Sequence, residues 1–234
     1  MLALAQMSRS PFQALRMTLL LALAIAFALF SLVFNASQQR NVDNLAAYQT
    51  GADFSGTFAQ QLPLNQEVAR YQSISGVTGA SIGYAGNGTV GTGNGLVLEV
   101  RGVDTSAFGH VAVWPSDASS QSLSSLLTLL ASKRQQGIAQ QHVPVIIDSI
   151  VARKLNAHVG STFTITMNDS NILDTDLPSQ VVAIVHDIPT TATGPDAVNA
   201  TNAVSQPGDT IAYGGVLLDY QTYNAVYRIE AQQT

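Results

Sequence analysis

The feature that most constrains this chain is the stretch from Met17 to Phe34, MTLLLALAIAFALFSLVF, which holds no charge, no proline and no glycine over 18 residues. As a helix it would be ~27 Å long, close to the ~30 Å of bilayer hydrocarbon. The uncharged run continues through Gln39, leaving slack for tilt. Its only polar side chains between Met17 and Phe34 are Thr18 and Ser31. A soluble surface helix is apolar on one stripe; this one is apolar all round. Arg9 and Arg16 precede it, and the first acid is Asp43. The positive-inside rule therefore predicts a cytoplasmic N-terminus and an outer domain. A cleaved signal peptide, the alternative, has an apolar core of ~7–15 residues and a small-x-small cleavage site. Here the core is longer, and Phe34-Asn35-Ala36 puts a bulky ring where a small residue belongs.

Charge divides along the same line. Residues 1–40 carry three Arg and no acid, whereas the rest carries seven Lys/Arg against fifteen Asp/Glu, for a net charge of −5. An acidic outer domain disfavours nucleic acid and anionic membrane surfaces as partners. The chain has no cysteine, which excludes a disulfide framework, a thiolate metal site and a cysteine nucleophile. An outer domain of this length must then be held by its core.

The expected organisation is a cytoplasmic lead over 1–16, a membrane helix over 17–37, a helical stalk over 38–50 stopped by Gly51, and an α+β domain over 51–234 with a possible sub-lobe at 107–142. Within that domain the spacing predicts a strand over Ala52–Phe58 and a short helix from Pro63 with Leu64, Val68 and Tyr71 on one face. A strand is expected at Val77–Tyr84. Gly86–Gly95, GNGTVGTGNG, contains G-x-G-x-x-G but leads into the alternating LVLEV, a strand. A dinucleotide fingerprint must open a helix, so this segment reads as a loop between strands. Residues 107–119 read as irregular, with Trp114 as a packing anchor. A helix over Leu123–Gln136 comes next, with Leu123, Leu126, Leu127 and Leu130 inward, Lys133 and Arg134 near its C-terminal dipole, and Gly137 as its stop. Val143–Ile147 is a short buried strand with Pro144 at its start, as edge rules require. Asp148 caps a helix carrying Ile150, Val151 and Leu155 inward, ended by Gly160. Thr162–Met167 alternates as a half-buried strand, Val181–Val185 is a strand buried on both faces, and Thr190–Asp209 is a long polar loop. Gly215–Leu218 is the last strand, before a helix over Tyr220–Gln233 with Tyr223, Val226 and Tyr227 on one face.

Chemistry is sparse. His110, His142, His158 and His186 are scattered without i, i+4 metal spacing. Neither a G-x-S-x-G elbow nor a phosphate-binding G-x-x-x-x-G-K-[ST] loop occurs. Asp174 and Asp176 sit on an expected loop without a basic partner nearby, and Asp187 ends a strand. The pattern predicts no catalytic residues, no cofactor and no metal, and hence a protein that is not an enzyme.

Taken together, several segments resemble the FtsX-like permease family of ABC transporters, with its MacB-type periplasmic core domain. RSPFQALRMTLLLALAIAFALF is similar to the basic lead into that family's first membrane helix, with Arg9 and Pro11 in place and two further basic positions missing. LAAYQTGADF resembles the passage from membrane to domain. VRGVDTSAF is similar to a G-V/I-D-x-x-x-F strand end through Gly102, Val103, Asp104 and Phe108. VPVIIDSIVARKLNAHVGSTFTITM resembles a strand–helix–Gly–strand signature through Asp148, Leu155, Val159, Gly160 and Phe163, and VVAIVHDIP resembles the next strand of the family domain. Gly102, Asp104 and Gly160 read as fold-defining turns rather than ligands. The resemblance implies an α+β extracytoplasmic domain of MacB periplasmic-core type behind one membrane helix, in contact with membrane lipid. It implies a separate cytoplasmic ABC ATPase as partner, with further permease spans or a second permease copy. Family members return to the membrane after this domain, so the chain to Thr234 resembles a first span plus the outer domain. The competing expectation is a stand-alone single-pass protein whose outer domain binds a ligand or scaffolds an envelope complex.

Overall fold

The computed structural model describes residues 11–56, 64–91, 96–168, 175–191 and 214–231. Two compact units divide between Asn44 and Leu45. The first is helical. Helix α1 runs unbroken over Pro11–Thr50, 40 residues. Its segment Leu15–Asp43 has the length and composition to cross a membrane, and none of its side chains is buried by protein. Thr18 spends its hydroxyl on the Leu15 carbonyl at 2.9 Å, so its polarity is satisfied within the helix. The helix stops where expected: Gly51 takes a φ of +62°, a left-handed conformation that glycine adopts without steric cost.

The second unit is mixed α and β. After α2 (Leu64–Gln72) come strands β1 (Gly83–Val90) and β2 (Leu96–Val103), then the short α3 (Phe108–Val111) and the long α4 (Leu123–Gln140). The chain continues through β3 (Val143–Asp148), α5 (Ser149–Leu155), β4 (Thr162–Asn168), β5 (Thr175–Val185), β6 (Gly214–Asp219) and α6 (Tyr220–Ala231). Spatial order is β1-β2-β6-β3-β5-β4. The β2–β6 and β3–β5 pairs are parallel and the others antiparallel. β4 comes round to meet β1 through Asn87–Asn168, Gly88–Met167 and Thr89–Thr166.

Two cores flank this sheet. One face presents Leu98, Val100, Val145, Ile147, Ile165, Met167 and Leu218 to α5 and α6. There Tyr223 stacks between Tyr84 and Tyr227, with ring centroids 4.8 and 4.9 Å away. The other face presents Ile146, Ala183, Val185 and Leu217 to Leu123, Leu126, Leu127 and Leu130 of α4, as the leucine spacing predicts. Trp114 and Phe108 pack at the margin of this second core.

Several boundaries differ from expectation, each for a tertiary reason. Residues 52–56 of the expected first strand form no strand, its residues 57–58 lie outside the described residues, no strand among the described residues pairs with 52–56, and Phe54 is 91% exposed. The strand expected at Val77–Tyr84 begins only at Gly83 and runs through Gly86–Val90, half of the expected glycine loop. The glycines serve packing there. A Cβ on Gly88 would overlap Ile165 Cγ2 where β1 meets β4, and one on Gly86 would overlap the Tyr84 hydroxyl. The other half, residues 92–95, lies outside the described residues, as do 192–213 of the polar loop and 232–234 of the last expected helix. The stretch 107–119, expected to be wholly irregular, contains α3.

Helix α4 passes through Gly137 and ends at Gln141, whose φ is 54°. Gly137 is there because a Cβ would come within 2.6 Å of Pro144 Cδ, at the turn into β3. Helix α5 ends at Asn156, φ 49°, not at Gly160, which makes the following turn at φ +96°. Pro144 lies on an interior strand rather than an edge. It is tolerated because the β3–β6 ladder spans only Val145–Ile147. β5 starts at Thr175, so Asp176 stands on a strand and accepts a 2.8 Å hydrogen bond from Thr166 Oγ1.

The run Val181–Val185 is buried less completely than expected, with Ile184 36% exposed. The reason is a bulge: Val145 pairs with Val181 but Ile146 pairs with Ala183. Val182 is the extra residue, and the bulge turns Ala183 and Val185 to the α4 face while Val181 faces the other core.

Candidate functional site

The family-motif residues fall into three local structures. Gly102 lies inside β2, where a Cβ would sit 3.2 Å from Leu218 Cδ1 and 3.3 Å from Tyr84 Cβ. Val103 ends the strand, buried in the α4 core. Asp104 turns the chain. Its Oδ1 accepts from the Ser106 amide at 2.9 Å and the Ser106 hydroxyl at 2.6 Å, and its carbonyl accepts from the Phe108 amide at 2.9 Å. Phe108 opens α3. In the second group, buried Asp148 accepts from the Val151 amide at 2.7 Å as the cap of α5, and from the Gly215 amide at 2.5 Å across the sheet. Leu155, the last residue of α5, is half-buried against the first core. In the third, the Gly160 amide donates to the Val181 carbonyl at 2.8 Å, tying the turn before β4 to β5.

The Asp104 turn stands beside a network that sequence inspection missed. Asp219, at the end of β6, is fully buried. Arg134 of α4 reaches it with Nε at 2.8 Å and Nη2 at 2.9 Å, a two-pronged pairing. Asp219 also caps α6 through the Thr222 amide at 2.9 Å and hydroxyl at 2.7 Å, and accepts from Thr105 Oγ1 at 3.2 Å. Burial alone would raise this carboxyl; the hydrogen bonds from Arg134 and Thr222 outweigh it and hold Asp219 below the ordinary carboxylate range. The same hydrogen bond raises Arg134. In sequence Arg134 reads as a charge near a helix end, and nothing local reveals a partner 85 residues away. The one available signal was Asp219-Tyr-Gln-Thr222, an Asp followed three residues later by Thr at the start of a helix.

Arg134 also lines an open cleft of about 400 Å³, with Thr105, Ser106, His110, Ser124, Thr128 and Gln221 as its other polar walls. Asp219 neutralises Arg134, and Asp104 lies close enough to act on it electrostatically. The cleft therefore suits uncharged hydrogen-bonding groups better than an anion.

His142 Nδ1 lies 2.7 Å from the Gln140 carbonyl oxygen, and His186 pairs with Asp187 at 2.9 Å. Burial raises the Asp187 carboxyl above its ordinary value, and His186 only partly offsets this. Among the described residues no three His, Asp or Glu side chains converge in a way that could hold a metal ion.

No protein-family model matches the chain, and no curated protein matches it. Solved structures similar to it include the extracellular domain of the noncanonic ABC-type transporter YknZ from Gram-positive bacteria. That comparison has 9% identity and a TM-score of 0.37, covering 70% of this chain and 66% of that one. Another is the periplasmic region of MacB from Actinobacillus actinomycetemcomitans, with 12% identity and a TM-score of 0.29, covering 70% of this chain and 58% of that one. This chain thus covers less than two thirds of either domain.

Proposed function

We propose that this protein is the membrane-anchored, extracytoplasmic part of an ABC-type transport or mechanotransmission complex of the FtsX/MacB permease kind. In this reading residues 1–16 lie in the cytoplasm, 17–37 cross the membrane, and 51–234 form the outer domain. It has no catalytic role of its own: work comes from a separate cytoplasmic ATPase, and further spans or a second permease copy complete the path. The single observation that carries the reading is α1. One uninterrupted helix leads from an apolar segment of membrane length to the residues that open the α+β unit. A helix of 40 residues rises ~60 Å, twice the hydrocarbon thickness, without a proline or glycine inside it where bending would concentrate. The residues that carry the resemblance support it in part: Asp104, Asp148 and Gly160 occupy a turn, a cap and a turn, whereas Gly102 lies within β2 as a close-packing position.

The test is affinity purification of the full chain from detergent-solubilised membranes, with chemical cross-linking beforehand. An ABC ATPase should be recovered with it; its repeated absence would overturn the reading. A second reading, an anchored protein whose outer domain binds a ligand, is favoured by the open cleft between α3, α4 and the start of α6. It predicts that Ser124→Trp and Thr128→Trp abolish function while ATPase recovery is absent throughout.

A further inference from the structure

We infer that Arg101 and Thr190 form a clasp that fastens the chain to the sheet where it leaves α1, a conformational device that stands on contacts alone and does not depend on the transport reading. Gly51, the first residue beyond the helix, is buried. Its carbonyl accepts a 2.7 Å hydrogen bond from the Val113 amide. Its missing Cβ leaves the space that the Thr190 methyl occupies, since any Cβ there would overlap Thr190 Cγ2. Thr190 is itself in a left-handed conformation, φ 68°, which a β-branched residue adopts only when its surroundings impose it.

Those surroundings are visible. Arg101 of β2 donates from Nε to Thr190 Oγ1 at 3.1 Å and from Nη2 to the Thr190 carbonyl. Glu99, two residues earlier on the same strand, accepts from Arg101 Nη2 at 2.6 Å and aims the guanidinium. Behind Thr190, Thr191 Oγ1 donates to the Ile188 carbonyl at 2.7 Å and lies against Gly215 of β6, where a Cβ would approach it to 2.5 Å. The Thr190–Thr191 pair is thus lodged between the helix exit and the sheet, in room supplied by Gly51 on one side and Gly215 on the other. Arg101 grips both the side chain and the backbone of the lodged residue. β2 and β6 are paired over six residues, so the clasp joins the exit to the sheet interior rather than to a free loop.

Hydrogen exchange of the full chain in detergent micelles tests this. In Arg101→Met, with Thr190 no longer gripped, the Val113 amide should exchange about tenfold faster, because its local opening becomes easier. Core amides such as Ile146 and Leu217 should exchange as in the parent. Gly51→Ala attacks the same contact from the other side, leaving Arg101 and Glu99 in place, and should give the same local acceleration. Unchanged Val113 exchange in both variants would overturn the clasp. Acceleration spread equally over Val113 and the core amides in both variants would also overturn it, by showing a general loss of stability.

Discussion

Leucines in α1 and α4 behave in opposite ways, and the contrast shows what the same side chain reports in two sequence patterns. In α1, Leu21 and Leu23 are 62% and 64% exposed; in α4, Leu126 and Leu130 are wholly buried. The α4 leucines recur at i, i+3, i+4 and i+7, leaving serines, threonine and lysine for water. Between Met17 and Phe34 the α1 leucines keep to no such stripe, and every face of that stretch is apolar, so water is a poor solvent for it. One helix is completed by a protein core, whereas no protein among the described residues covers the apolar stretch of the other. The lesson is that apolar content alone does not place a helix; its periodicity does.

Experiments that break or sharpen this contrast can be ranked by size. Leu126→Asp should unfold the α+β unit, because an unpaired carboxylate in that core costs several kcal/mol. Leu23→Asp should leave the unit's melting unchanged and instead impair membrane insertion by about 3 kcal/mol, read by fractionation of the two variants. Similar melting curves for both would erase the distinction. Leu155→Asp, which helical spacing alone would rank as equally damaging, should fall short of Leu126→Asp, since Leu155 is only half-buried at the end of α5.

Next comes Arg134→Ala, which strands a buried carboxylate at the foot of α6 and should cost about 3 kcal/mol by chemical denaturation. Its pH signature is distinctive. In the parent, Asp219 titrates below its unfolded value. Its contribution is therefore complete above the unfolded value and lost as pH falls through the lower, folded one. Without Arg134, burial loses its main counterweight, and acidification should stabilise the variant relative to the parent. A parallel pH dependence in both proteins would refute the pairing.

Asp148→Ala removes a helix cap and the acceptor for the Gly215 amide, and should cost about 2 kcal/mol. The smallest effect is expected at Asp187. Its folded carboxyl titrates above the unfolded value, so ionisation penalises folding at neutral pH, and the penalty fades as pH falls through the raised value. Asp187→Asn should therefore raise stability at pH 7 by less than about 1 kcal/mol and flatten the acid limb of a melting-temperature profile. A loss of stability at pH 7 would show that the His186 contact outweighs burial.

Much of the fold was legible where one face or one cap decides it. The α4 leucine stripe, the alternation of Thr162–Met167, the Asp148 cap and the Tyr223–Val226–Tyr227 face are local patterns, and each has its expected role in the structure. Errors gathered at glycines. Gly86, Gly88 and Gly137 read as loop or stop signals because glycine permits turns, yet their structural role is close approach of another element. The Arg134–Asp219 pairing and the Arg101–Thr190 clasp were illegible for a different reason: each joins residues more than eighty positions apart.

By itself the sequence determined the leucine face of α4, the apolar segment of membrane length and the α+β character of the chain beyond it, because these depend on composition and period within a short window. Only the tertiary structure decided which carboxylates are held ionised in the interior and which glycines are packing sites. It alone set the bulge at Val182 that shares one apolar run between two cores. Those outcomes depend on what lies across from a residue, and distance along the chain does not encode it.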